Sequence, residues 1–125
     1  MLRREFDSRQ VHNVMATQQS FIDYVLDQTS SLRGVSVRKM FGEYALYYQG
    51  KVVALVCENT VFVKLTEQGK SFSKDEYKEG FPYPGAKSWI RVSEENLENS
   101  DWLVELISIT AEHVSPVRIK KKRSV

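Results

Sequence analysis

The stretch VSVRKMFGEYALYYQGKVVALVCENTVFVKL, residues 35–65, decides the fold. Its apolar residues recur at period two, not at the helical 3.6. It is rich in Val, Tyr, Phe and Leu, which suit a pleated, half-buried surface. It divides into strands at Val35–Met40, Glu43–Tyr48, Lys51–Cys57 and Thr60–Leu65. Gln49-Gly50 and Glu58-Asn59 leave room only for two-residue turns, whereas parallel neighbours need a crossover of about a dozen residues. The strands must therefore form an antiparallel meander. Lys51–Cys57 is apolar on both faces (Val53, Leu55 and Cys57 against Val52, Ala54 and Val56). That predicts a central strand covered, at least in part, on both sides.

Upstream, Phe21, Ile22, Val25, Leu26 and Leu32 make one stripe at the helical period. Thr17 is placed as its N-cap and Gly34 as the residue that stops it. Met15 reads as the natural start of the domain, with 1–14 a flexible N-terminal extension. Downstream, Thr66–Lys78 reads as a short helix and loop. Phe81-Pro82-Tyr83-Pro84-Gly85 is excluded from a helix interior by its two prolines, and Ser88–Val92 reads as a further strand. Ser93 and Ser100 sit where N-caps would, before a helical turn at Glu94–Leu97 and a helix from Asp101 to about Val114. The expected fold class is α+β: a two-layer domain over residues 15–115. An antiparallel meander sheet of five or six strands carries the N- and C-terminal helices packed on it. Residues 116–125 read as a basic disordered tail.

The last helix is apolar beyond one stripe. Val104, Ile109 and Ala111 flank the main face, and only Glu105, Ser108 and Glu112 form a polar line. Such a helix is buried on most sides, by another helix of the chain or by a second subunit. Trp102, Val104, Ile109 and Ala111 are the candidate interface of a homodimer formed through this helix or a sheet edge.

A chain of 125 residues with 42% hydrophobic and 27% charged residues suits one domain with its own core. No apolar run approaches the length of about 20 residues that a membrane helix needs, so no membrane partner is expected. The lone Cys57 fits a reducing, cytoplasmic setting. Five of the 18 basic residues, Arg118, Lys120, Lys121, Lys122 and Arg123, lie in the last eight positions with no acid among them. The remaining 13 face 16 acidic residues, so everything before the tail carries −3. That argues against a broad basic face on the folded part and leaves the tail as the candidate for weak, non-specific DNA contact. Arg38, Lys39, Lys64 and Arg91 form a second-ranked set that one side of the sheet could gather.

Catalytic and metal-binding patterns do not emerge. His113 at a helix C-terminus has an electrostatic explanation in the helix dipole, and Cys57 among Val and Leu reads as an inert thiol. Gly69-Lys70-Ser71 resembles the end of a phosphate loop, but Lys64 stands where that loop needs glycine. No cofactor, metal or catalytic residue is expected.

The segment from Arg38-Lys39-Met40-Phe41-Gly42 to Val56 resembles the signature of the TfoX N-terminal domain, the first half of the TfoX/Sxy competence regulators of bacteria. Val61–Leu65 is similar to a strand of that family, and Phe81-Pro82-Tyr83 to its aromatic–proline loop. The resemblance covers roughly residues 15–114. It implies a fold of the secretion-chaperone-like α+β group. It also implies a regulatory role through protein contacts, with a transcription factor as partner. Full-length regulators of that family carry a second, helical domain, so the chain reads as a stand-alone first domain. The signature residues also have a structural reading: Met40 and Phe41 seat a strand end in the core, and Gly42 permits a bend. Phe41→Ala is then expected to cost about 3–5 kcal/mol. The alternative to a transcription or competence co-regulator is a small dimeric partner-binding or chaperone-like module.

Overall fold

Two left-handed turns set the sheet. Gln49 and Gly50 have φ of 56° and 74°, and Glu58 and Asn59 have φ of 52° and 56°. Positive φ at both central residues is the mirror-image turn whose twist matches that of the strands it joins. The computed structural model describes residues 17–40 and 43–114. In it, β1 (Ser36–Met40), β2 (Glu43–Tyr48), β3 (Lys51–Cys57) and β4 (Thr60–Lys64) form the expected meander. After β4 come α2 (Glu67–Ser73), a 3₁₀ turn at Lys74–Glu76, β5 (Glu79–Gly80) and β6 (Trp89–Arg91). The six-stranded sheet runs β1-β2-β3-β4-β6-β5, and every pairing is antiparallel. The two-residue β5 was not legible in the sequence.

The helices lie on one face. α1 (Gln19–Gln28), the short α3 (Glu94–Leu97) and α4 (Ser100–His113) complete the described residues. The core joins Ile22 and Val25 of α1 to Leu103, Leu106 and Ile107 of α4. Beneath them lie Leu46, Ala54, Val56, Val61, Val63 and Ile90 of the sheet. A bulge between β2 and β3 at Leu46/Tyr47 leaves Val53 as the extra residue, so that Val53 and Ala54 are both buried.

Two N-caps sit one residue from their expected places, and α1 stops at Gln28, well short of Gly34. Gln18, not Thr17, occupies the N-cap of α1. The Thr17 hydroxyl is engaged elsewhere: it donates to Glu43 Oε1 at 2.5 Å and accepts from Asn59 N at 3.3 Å. Asn59 Oδ1 also accepts from Gln18 N at 3.0 Å, tying the β3–β4 turn to the start of α1. Likewise Asn99 caps α4 through Trp102 N, while the Ser100 hydroxyl donates to Gln28 O at 2.6 Å. Ser93 caps α3 as the sequence suggests, accepting from Asn96 N. Gly69 lies inside α2, where a Cβ would stand 3.3 Å from Leu106 and 3.4 Å from Ile90. The glycine serves close helix packing, and the Gly69-Lys70-Ser71 run is helix, not a phosphate loop.

One interface assignment, Ala111, is corrected. Ala111 is buried in the chain's own core, and the Trp102 ring packs on Phe72 of α2 with centroids 5.7 Å apart. A helix of the same chain therefore covers part of Trp102, which stays half-buried. Val104 and Ile109 remain half-buried.

Candidate functional site

The face of the sheet opposite the helices carries a groove of about 720 Å³. Register explains its floor. Val56 pairs with Tyr44 and Val61 on the helix side, so Leu55 and Cys57 must turn to the open side, and beyond the bulge Val52 joins them. Met40 and Glu43 stand at one flank, and Lys64 of β4 and Trp89 of β6 stand at the other. Pro82, Tyr83 and Pro84 from the β5–β6 loop overhang the floor.

The loop reaches this position because of two glycines. Gly80, buried in β5, has room for no side chain: a Cβ would lie 2.7 Å from Phe62 Cε1 and 2.8 Å from Arg91 Cβ. Gly85 has φ of 85° in the turn closed by Ala86 N donating to Tyr83 O at 3.1 Å. Phe81 and Tyr83 are left 57% and 53% exposed, and Met40 40% exposed. Three of the five exposed large apolar side chains among the described residues thus gather at this face. Exposed aromatics around an apolar depression can each bury much area at small entropic cost. The volume falls within the usual range of about 300–1,000 Å³ for ligand sites.

The polar groups of the groove are arranged unevenly. Glu43 Oε1 accepts from Thr17 N at 3.2 Å, from the Thr17 hydroxyl and from Glu58 N at 3.3 Å. This carboxylate fastens the β3–β4 turn to the entrance of α1. Glu58 is exposed at the same end, while Lys64 lies near Trp89 at the other. Between them Cys57 is buried, and its thiol is pushed up to about 11 by desolvation first and by Glu43 and Glu58 next. A thiol so placed is not a nucleophile near neutral pH.

The expected site residues are divided by this geometry. Met40 does not enter the core; it flanks the open groove, because strand alternation sets it opposite Glu43 on the helix-free face. Arg38 is exposed on that face, its guanidinium 5.8 Å from the Tyr47 ring centroid. Lys39 alternates to the helix side, opposite Tyr44. Of the second-ranked basic set, Arg38, Lys64 and Arg91 share the open side of the sheet, with Arg38 and Arg91 at opposite ends of one cross-strand row, and Lys39 lies on the other face. Phe41 and Gly42 lie outside the described residues, as do Arg118, Lys120, Lys121, Lys122 and Arg123. The groove itself escaped the sequence reading. Its signals were the two-sided apolarity of Lys51–Cys57 and the aromatic–proline loop, but only the register across four strands brings them together.

Comparison with known proteins adds two findings. A sequence model of the TfoX N-terminal domain matches residues 27–114. A protein of Spirochaeta aurantia, described as an uncharacterized 12.7 kDa protein in the trpE 5′ region, is 36% identical over 110 residues; the match spans 88% of this chain and 94% of that protein.

Proposed function

The chain belongs to the TfoX N-terminal domain family, and from that premise we propose that it is a non-enzymatic regulatory module acting in transcription by contact. Its open sheet face receives part of a protein partner, and its basic tail adds weak, sequence-blind contact to DNA. The observation that carries this reading is the groove: an apolar floor of Val52 and Leu55 beneath exposed Tyr83, with its one thiol held protonated by burial. Such a site supplies contact area and shape, the currency of recognition.

A transcript comparison tests the proposal. Cells lacking the chain are complemented with the wild type or with Leu55→Glu, which puts a carboxylate on the groove floor; folding of the variant is verified by its melting transition. Transcripts altered by the loss should be restored by the wild type and not by Leu55→Glu. Full restoration by Leu55→Glu, or no altered transcript, refutes it. The half-buried Val104 and Ile109 on α4 favour a second reading, a dimeric partner-binding or chaperone-like module. That reading predicts a dimer by light scattering and no transcript response.

A further inference from the structure

The same groove has an occupant of fitting chemistry within the chain: we propose that residues 115–125 fold back around the end of the sheet and dock in the open-face groove, with Lys122 and Arg123 beside Glu43 and Glu58. The inference rests on the groove being a recognition surface and adds its regulation, since a tail held there competes with a partner and is withheld from phosphates.

Position comes first. The ammonium of Lys51 donates to Ala111 O, which fastens the C-terminal end of α4 beside the β2–β3 turn. The groove floor begins one residue on, at Val52, on the other side of the sheet. Passing from one layer to the next covers about 10 Å, and the six residues from Val52 to Glu58 span about 20 Å of strand. Arg123 stands nine residues beyond Val114 and reaches about 30 Å when extended, just enough for both. On this path Ser115, Pro116 and Val117 round the sheet end and pass Lys64 without charge. Val117 and Ile119 then meet the apolar floor, and the last of the four consecutive cations, Lys122 and Arg123, arrive at the carboxylate end.

Charge points the same way. The tail carries five basic residues and no acid, whereas everything before it carries −3. Two of those acids stand together at one end of the groove. The pairing is electrostatic and partly solvated, so it must weaken with salt.

Paramagnetic relaxation in the full chain tests the docking. Ser124→Cys places a spin label near the end of the tail; Cys57, buried and protonated, does not take it up. In salt of about 0.1 M, where the screening length is about 10 Å, amide signals of Leu55, Cys57 and Glu58 should be lost while those of Ile22 and Leu106 persist. At about 1 M, where screening falls to about 3 Å, the lost signals should return. They should also return in the Glu58→Lys chain. A mixture of isotope-labelled chain with separately spin-labelled chain should show no loss. Uniform or absent broadening overturns the proposal, as does broadening indifferent to salt and to Glu58→Lys. Loss in the mixture overturns it in favour of a second copy. None of these results alters the transcript test, so failure of the docking and failure of the regulatory reading are distinguishable.

Discussion

Leu106→Ala and Leu55→Ala make the same chemical change on the two sides of the sheet, and their costs should differ several-fold. Each removes three carbons, worth about 2.4 kcal/mol of transfer free energy when fully buried, at about 0.8 kcal/mol per carbon. Leu106 is completely buried in α4, and its side chain and that of Ile90 of β6 both pack close to Gly69 of α2. Those neighbours are fixed by helix and sheet, so a cavity remains and adds its own penalty, bringing the total to about 3–4 kcal/mol. Leu55 already meets solvent across the groove. Only about half of its transfer term is at stake and water fills the space left, so the cost is about 1 kcal/mol. Urea unfolding followed by tryptophan fluorescence measures both, with an unchanged slope showing that the unfolded states match. For a domain of this size the melting temperatures should fall by roughly 12–30 °C and 4–8 °C. If Leu55→Ala costs as much as Leu106→Ala, the open face is a second core under a permanent cover, and the argument for an available groove fails.

Three further outcomes follow from particular contacts. Gly80→Ala should lower the urea midpoint by an equivalent of about 1–3 kcal/mol, since the new methyl meets Phe62 and Arg91 at under 3 Å; an unchanged midpoint refutes the close approach. Cys57 should resist iodoacetamide near neutral pH and react as pH approaches 11. Between about 9 and 11 the native thiol keeps its proton while the unfolded one loses it, so stability should fall as pH rises through that window, and should not in Cys57→Ala. DNA affinity should lie near 10⁻⁴–10⁻⁶ M, with log affinity falling against log salt at a slope of about −4.5 if all five tail charges engage phosphates. Deleting residues 117–125 should abolish both affinity and slope; sequence-selective binding that survives the deletion moves the DNA contact onto the folded part.

Local signals carried the architecture. Two-residue gaps at Gln49-Gly50 and Glu58-Asn59 dictate hairpins, and the positive φ at all four residues is the physical form of that constraint. The helical turn at Glu94–Leu97 and its Ser93 cap were legible because a cap is a contact between residues three apart. Thr17 and Ser100 were misplaced as caps because their hydroxyls serve partners 26 and 72 positions distant, Glu43 and Gln28, which no local pattern records. Met40 was assigned to the core for a related reason. Apolar character shows that a strand residue prefers cover, but the register with Glu43 and the one-sided helix layer decide which face it joins. The groove depends on the same long-range information. Its floor was visible as excess apolarity in Lys51–Cys57, while the loop that overhangs it is positioned by Gly80, 23 residues beyond Cys57.

Under the proposed function, the open sheet face is where the partner docks. Site-specific photocrosslinking in cells tests it, with a photoreactive side chain placed at Leu55 in one chain and at exposed Glu112 on α4 in another. Adducts of higher mass are expected at Leu55, suppressed by Tyr83→Ala, and none at Glu112. Adducts at Glu112 with none at Leu55 would contradict it and transfer recognition to the helix layer.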